Sequence, residues 1–344
     1  MKQLSLSLVF CLAVLFAGCS GKPVLYIYNW GDYVSPEVIK KFEKEYNCKV
    51  ALDFFDSNES MYAKLKAGGG GYDLIVPSTY MTDMMYDQKM LRELDRSRLP
   101  NLKYIDPDYL KKVRDSEMKY SVPYLVSFTG IGYNKKKVRN FEPSWRMFER
   151  EDIKGRCVLL NDPRQAIGAA LITLGYDPNT RSEEEIGKAA NLVIRWRKNI
   201  AKFDVDEAKR SLISGEFWLI QTYSGDMLQA LDENENIEFV FPKEGYIFTA
   251  DTFVIPADAS NVDLAYDFIN FMHRPEIAAE NMQFVKFRCP NTEALKMLPE
   301  KLKNKPSINP AKALWDAAMP TLDLGADTRL YNAAWDKIKS GNTD

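Results

Sequence analysis

Histidine and cysteine, the side chains that most often bind metal ions or act as nucleophiles, are scarce in this sequence. Its 344 residues include one histidine and five cysteines, and no two cysteines have the C-x-x-C spacing of a metal or redox site. No G-x-S-x-G motif occurs either. The single histidine, His273, lies in an amphipathic helical pattern beside Arg274 and Pro275, which favours a structural role at a helix end. The sequence therefore does not predict an enzyme, and no metal site is expected.

An excess of positive charge is missing as well. Lysine and arginine number 46 against 48 aspartates and glutamates, which gives a formal net charge of -2, and the basic residues are scattered. A nucleic-acid partner and a polybasic membrane surface are therefore not expected. The four glycines at 68–71 follow a helical pattern and precede no Gly-Lys-Ser/Thr, so they indicate a helix end rather than a phosphate-binding loop. No cofactor is predicted.

Long apolar runs are absent except at the N-terminus. Lys2, the apolar stretch 4–16 and the small residues before Cys19 resemble a bacterial lipoprotein signal. This interpretation makes 1–18 a signal peptide, Cys19 the lipidated (palmitate-bearing) first residue and 19–23 a tether; an ordinary secretory signal cut nearby is the alternative. No later run reaches the roughly 20 apolar residues of a membrane span, so we expect a protein of the periplasm or cell surface, attached to the membrane by lipid alone. The remaining cysteines are expected to be mostly buried thiols: Cys48, Cys157 and Cys289.

The stretch 24–34, VLYIYNWGDYV, organises the rest of the chain. Its first seven residues are nearly all apolar, aromatic or β-branched, which predicts a strand buried on both faces. Ser35 and Pro36 then form an N-cap and first helical position. Asp32 lies between Trp30 and Tyr33 at the carboxyl end of the strand, the edge where open α/β sheets bind ligands. A carboxylate flanked by aromatic rings suits an organic cation, through ion pairing and cation–π attraction.

Strand and helix patterns alternate along the chain, which predicts an α/β protein with a largely parallel, doubly wound sheet. The apolar segments 120–132 and 244–256 are candidates for crossings between two lobes. The predicted strands are 24–30, 49–55, 72–77, 120–132, 155–160, 217–223 and 237–241. The predicted helices are 37–46, 61–67, 145–150, 167–174, 183–198, 263–273 and 275–283.

Acidic residues recur at these strand ends and crossings, several of them in aromatic company. A single aspartate after a strand is more often a helix cap or turn residue, so the recurrence is the signal. Paired carboxylates could also perform glycosidase chemistry, and an assay with glycans and amines would separate the two functions. The acids are Asp32, Asp162, Asp226 and Asp251, and the aromatic residues are Trp30, Tyr33, Tyr80, Tyr223 and Phe287.

With these residues in view, the chain from about Val24 onward resembles the polyamine-binding proteins of bacterial ABC importers. The colinear motifs are YNWGDYV at 28–34, SNESMYAKLKAG at 57–68, YDLIVPSTY at 72–80, PY at 123–124, GE at 215–216, FPKEG at 241–245, D-x-x-x-IP at 251–256 and INFMHRPEIA at 269–278. The resemblance implies a two-lobe periplasmic-binding-protein fold of type II. Each lobe is then a mostly parallel sheet flanked by helices, and the ligand lies in the cleft between the lobes.

The resemblance also implies domains, partners and a site. One lobe would comprise 22–127 plus 250–295 and the other 132–248 plus 296–344. A monomer that delivers a polyamine to an ABC permease is expected. The implied ligand-binding residues are Trp30, Asp32, Tyr33, Ser78, Tyr80, Asp162, Gln165, Tyr223, Asp226, Thr249, Asp251 and Phe287.

Four positions depart from the spermidine-binding pattern of that family. Gln165 stands where an acid would help to hold a distal amine, Thr249 replaces an aromatic residue, Phe287 a tyrosine and Thr321 a glutamine. These departures favour putrescine over spermidine as the ligand. Two alternatives remain: the ligand is another small cationic solute, or the protein is a lipoprotein adhesin that has kept the fold and lost transport.

Overall fold

The computed structural model describes residues 21–341; the predicted signal peptide 1–18 and the lipid anchor Cys19 lie outside the described residues. The strands are β1 (Val24–Trp30), β2 (Lys49–Phe55), β3 (Leu74–Ile75), β4 (Val122–Asn134), β5 (Cys157–Leu159), β6 (Ile200–Phe203), β7 (Leu219–Tyr223), β8 (Ile237–Val240), β9 (Tyr246–Phe253) and β10 (Ala318–Pro320). The first seven helices are α1 (Pro36–Glu45), α2 (Asn58–Lys66), α3 (Thr79–Asp87), α4 (Pro107–Leu110), α5 (Pro163–Thr173), α6 (Glu183–Arg197) and α7 (Asp206–Ser214). The others are α8 (Ser224–Glu233), α9 (Val262–Met272), α10 (Pro275–Val285), α11 (Thr292–Met297), α12 (Glu300–Lys303), α13 (Lys312–Ala317) and α14 (Thr328–Ser340).

A three-stranded parallel sheet of order β2-β1-β3 forms around the organising stretch. β1 and β2 have the predicted bounds, and Ser35 and Pro36 begin α1 as predicted, although no side chain caps the helix. The prediction that β1 is buried on both faces is wrong at Tyr26, which is 45% exposed. Tyr28, two residues on, is covered because the rings of Phe55 and Tyr72 pack against it.

The second sheet has seven strands in the order β10-β9-β4-β7-β5-β6, with β8 also paired to β4. The first half of β4, up to Phe128, pairs antiparallel with β9, and the second half, from Thr129, pairs with β7 and β8. A bridge between Ile75 and Val254 ties the end of β9 to the first sheet. The α/β class with parallel strands and flanking helices is therefore confirmed, with the crossing strands antiparallel.

The helices that follow strands were the least predictable elements. α3 and α8 were missed; they follow their strands directly at Ser78 and Ser224, and α8 begins with the turn-like Ser224-Gly225-Asp226. α5 begins four residues before the predicted helix. The predicted strand 72–77 shrinks to the two residues of β3. The strand-end acids consequently lie at helix starts: Asp162 is the N-cap of α5, and Asp226 lies in the first turn of α8.

Two apolar clusters form most of the core. The larger one joins β1, α1, β4, β9, α9 and α10, and the second joins α5, α6 and α14. The assignment of 296–344 to one lobe stays a prediction; Trp315 packs in the larger cluster against Phe128 and Phe248, whereas Trp335 packs in the second. Three cysteines are buried free thiols, as expected: Cys48, Cys157 and Cys289. Between residues 21 and 341, no helix has the length and apolar character to cross a bilayer.

Candidate functional site

The carboxylate of Asp251, in β9, forms a buried polar centre. The side chain is only 7% exposed, and it accepts hydrogen bonds from the Tyr33 hydroxyl at 2.6 Å and the Ser78 hydroxyl at 2.7 Å. Burial raises the pKa of Asp251 to about 6, against the lowering effect of these two donors. A buried carboxylate of this kind gains strongly from an ammonium partner, because a charge-assisted hydrogen bond is stronger away from water.

Ser78 is held in place by the amide of Asn58, the first residue of α2. Asn58 Oδ1 accepts from the Ser78 backbone N–H, and Asn58 Nδ2 donates to the Ser78 hydroxyl, both at 3.0 Å. The same amide nitrogen donates to the Tyr80 hydroxyl at 3.0 Å. Asn58 was not among the predicted residues, and the SNES motif was the available signal. Asn58 therefore fixes the position of the Ser78 hydroxyl, which donates to Asp251.

Aromatic rings line the other side of Asp251. Tyr33 packs edge-on against Phe287 at 5.2 Å and against Tyr124 at 5.7 Å. The hydroxyl of Tyr124, which belongs to the PY motif but was not among the predicted ligand-binding residues, donates to the Tyr33 carbonyl at 2.5 Å. Phe287 has room because Gly225 faces it, where a Cβ atom would lie 2.4 Å from the ring. The three rings therefore fix the orientation of the Tyr33 hydroxyl.

Trp30 and Asp32 are tied less closely to this centre. The half-buried Trp30 donates its ring N–H to the Val76 carbonyl at 2.9 Å and packs on Phe55, so part of its contact is structural. Asp32 is exposed and has a φ of 54°, a left-handed conformation that non-glycine residues seldom adopt and that clusters at ligand sites. Within residues 21–341 its carboxylate accepts no hydrogen bond. Both residues stay predictions as ligand contacts.

A second acidic centre lies at the start of α5. Asp162 accepts from the backbone N–H groups of Arg164 and Gln165, at 2.8 and 3.1 Å, and from the Tyr223 hydroxyl at 3.2 Å. Burial raises the pKa of Asp162 despite these donors. Burial and the Asp162 charge raise the pKa of Tyr223, which keeps that phenol a neutral donor. Asp162 is therefore a helix N-cap, the usual role of a single aspartate after a strand, and it also lies near other predicted site residues.

Gln165 belongs to a neutral polar group beside the second acid. Its Oε1 accepts from the Thr129 hydroxyl at 2.5 Å, and its Nε2 donates to the Thr249 hydroxyl at 3.1 Å. The hydroxyls of Thr249 and Thr321 are 3.4 Å apart. Three of the positions that depart from the spermidine-binding pattern are therefore in contact with each other. Together they replace an acid, an aromatic ring and a glutamine by one amide and two hydroxyls.

Asp226 lies close enough to the group around Asp251 for its charge to act on Tyr33. Its charge contributes, after burial and the adjacent Asp251, to raising the pKa of Tyr33. Its carboxylate also lies 3.6 Å from the Lys209 ammonium, so a ligand amine would share it with a cation of the protein.

Electrostatic interactions connect the two centres. After burial, the charges of Glu59 and Asp162 raise the pKa of Tyr80, and Asp251 and Asp162 both raise that of Tyr223. The structure therefore brings most of the predicted residues into one polar and aromatic region.

A surface cavity of about 370 Å³ lies elsewhere, beside Arg288 and Trp315, and none of the predicted site residues lines it. No cluster of three or more metal-ligating side chains occurs in the part of the chain that the structure describes.

Comparisons with known proteins agree with this arrangement. The sequence profile of the family described as bacterial extracellular solute-binding protein matches residues 37–310. The spermidine/putrescine-binding periplasmic protein of Escherichia coli K12 is 36% identical over 319 residues, covering 92% of each chain.

Solved structures give the same result. The spermidine/putrescine ABC transporter substrate-binding protein of Streptococcus pneumoniae is 33% identical, with a TM-score of 0.83 over 93% of this chain and 99% of its own. A lipoprotein of Treponema pallidum (TpPotD) is 35% identical, with a TM-score of 0.85 over 92% and 99% of the two chains. These relatives are binding and transport proteins, not enzymes.

Proposed function

Because the chain belongs to the bacterial extracellular solute-binding proteins, we propose that it is the extracytoplasmic receptor of an ABC importer and that its solute is a polyamine. The observation that carries this proposal is the desolvated Asp251 carboxylate, which is held by Tyr33 and Ser78 and has a second acid, Asp162, in the same region. The names of its relatives support the same class of ligand.

An organic dication and this region are complementary in charge. Each ammonium must meet an acceptor on leaving water, because a buried unpaired charge is costly. Asp251 supplies one partner and Asp162 another, and the apolar methylenes fit between aromatic rings such as Tyr33 and Tyr223. Closure of two lobes around the amine would complete the desolvation, and the closed form would be what the permease recognises.

The direct test is mass spectrometry of protein that has been purified without added amines and then denatured. We expect a polyamine to be released in an amount approaching one per chain. Release of a glycan or of a different cationic solute would contradict the assignment, as would protein that is empty and does not bind polyamines added afterwards.

We propose further that putrescine is preferred to spermidine. The extra ammonium of spermidine would meet the neutral Gln165, whose two amide ends are already engaged with Thr129 and Thr249, while its desolvation cost is unchanged. Gln165→Glu should therefore shift preference toward spermidine by roughly 10- to 100-fold, the range for a hydrogen bond to a charged group. Competition calorimetry measures the ratio.

Gln88→Glu is the control, since it makes the same charge change at an exposed residue at the end of α3. It should leave the ratio unchanged. Tighter binding of spermidine than putrescine by the wild type would contradict the preference and leave polyamine binding intact.

Anchoring by lipid is proposed from the small residues that precede Cys19; the Treponema pallidum relative is a lipoprotein. Cys19→Ser is expected to abolish labelling by a palmitate analogue and to release the protein from membranes, with ligand binding unchanged because the site lies in the folded part. Fractionation of cells measures both, and light scattering of the released protein tests the expected monomer. Membrane association that persists in the variant would contradict the anchor.

A further inference from the structure

We propose that Ser127, in the crossing strand β4, is a further contact of the ligand, and that its hydroxyl accepts a hydrogen bond from an ammonium group of the amine. This inference rests on the proposed function, because it adds a residue to the same ligand site. Ser127 lies within the predicted crossing 120–132, and sequence reasoning assigned it no role.

The pairing of β4 with β9 places Ser127 on the same face of the sheet as Asp251. Ser127 lies opposite Thr249, and Leu125 lies opposite Asp251. Residues directly opposite each other in an antiparallel pair share a face, and so do residues two apart in one strand. The diagonal from Ser127 to Asp251 therefore spans about 7–8 Å, a distance that an ammonium group hydrogen-bonded to both side chains can bridge.

Another predicted site residue borders Ser127 on the other edge of β4. Val126 forms an isolated antiparallel bridge with Arg288, to whose carbonyl it donates at 2.7 Å. The neighbours of a bridged pair point to the opposite face, so Ser127 and Phe287 share the face that Asp251 occupies. Phe287 is one of the aromatic rings already described there. The position of Ser127 is therefore among predicted site residues on both edges of the strand.

The Ser127 hydroxyl is buried without a hydrogen-bond partner. Ser127 is 6% exposed, and within residues 21–341 its Oγ atom neither donates nor accepts a hydrogen bond. The hydroxyl of the opposite residue, Thr249, is engaged by Gln165 at 3.1 Å and lies 3.4 Å from that of Thr321. A buried hydroxyl without a partner costs free energy, and the fold leaves this cost uncompensated.

An amine of the ligand supplies the partner that this hydroxyl lacks. An ammonium group offers three donors and no acceptor, and a serine oxygen has two acceptor positions. Each oxygen of Asp251 already accepts one hydrogen bond from the protein, so a second acceptor beside it completes the surroundings of the ammonium. Because the Ser127 hydroxyl is satisfied only when the amine is present, the contact favours closure around a ligand over closure of an empty cleft.

The test compares Ser127→Ala with Ser121→Ala, which removes a similarly buried hydroxyl that has a partner. Ser121 is 5% exposed, and its Oγ donates to Asp115 Oδ2 at 2.8 Å. For Ser127→Ala we expect the affinity for putrescine in titration calorimetry to fall roughly 10- to 100-fold, because a hydrogen bond to a charged group is lost. The thermal unfolding midpoint of the amine-free variant should be unchanged or raised, since the fold loses no hydrogen bond. Ser121→Ala should show the reverse, with wild-type affinity and a lowered midpoint.

Wild-type affinity in a folded Ser127→Ala variant would overturn this inference, leave the proposed function in place and show that the hydroxyl meets only water. A midpoint lowered as far as in Ser121→Ala would also overturn it, because the hydroxyl would then stabilise the fold. Failure of the wild type itself to bind putrescine or spermidine would instead overturn the proposed function.

Discussion

Replacing Asp251 with asparagine is expected to weaken putrescine binding by about 2–5 kcal/mol, or roughly 30- to 5,000-fold, the cost of truncating one partner of a desolvated charge pair. Asparagine keeps the size of the side chain and removes its charge. Since Tyr33 and Ser78 donate to different carboxylate oxygens, the single amide oxygen can accept from one of them, and the other hydroxyl must turn to accept from the amide N–H. Titration calorimetry at neutral pH measures the loss. Asp258→Asn, the same change at an exposed residue, should bind as the wild type does.

The pH dependence gives a second arm of the same prediction. Since the pKa of Asp251 is raised to about 6 and an ammonium requires the ionised carboxylate, wild-type affinity should fall as the pH drops below about 6.

The folding stability of the ligand-free protein should change with pH in the opposite sense. Because the pKa of Asp251 is higher in the folded than in the unfolded protein, the native state binds this proton more tightly. The contribution of the protonated carboxyl group to the free energy of unfolding is therefore lost as the pH rises through about 6. Both dependences should diminish in Asp251→Asn, and near wild-type affinity of that variant would remove Asp251 from the site.

Arg288→Met is expected to cost about 3–5 kcal/mol of folding stability, because it breaks a buried ion pair and leaves its partner uncompensated. Arg288 is 5% exposed. Its guanidinium donates to Asp106 Oδ2 at 2.6 Å and to the Ile308 carbonyl at 2.9 Å, while its own carbonyl accepts from Val126 in β4. Urea unfolding followed by circular dichroism measures the change.

The exposed ion pair of Arg98 with Asp263 is the comparison. Arg98→Met should cost at most about 1 kcal/mol, the value typical of surface pairs. A loss for Arg288→Met as small as that for Arg98→Met would show that Asp106 is adequately solvated without the arginine.

The local part of this fold could be predicted from the sequence because it depends on neighbouring residues. The apolar run of β1 and the Ser35-Pro36 helix start are patterns within a few positions, and both occur where predicted. α8 was missed for the same reason: Ser224-Gly225-Asp226 is typical of a turn, and packing against β4, β7 and β8 makes it a helix instead.

The site depends on partners that are distant in the chain. The hydrogen bond from Tyr33 to Asp251 spans 218 residues, and that from Tyr124 to the Tyr33 carbonyl spans 91. No local pattern specifies such pairs. The recurrence of acids at strand ends and crossings predicted Asp162 and Asp251. The role of Asn58 required the structure, because its partners Ser78 and Tyr80 lie 20 and 22 residues farther along the chain.

The most direct test of the account is titration calorimetry of putrescine into wild-type protein that has been unfolded, dialysed free of amines and refolded. The account predicts saturable binding of one putrescine per chain, with little or no binding of the uncharged 1,4-butanediol, which has the same length. Refolded protein with native circular dichroism that binds neither putrescine nor spermidine would contradict it.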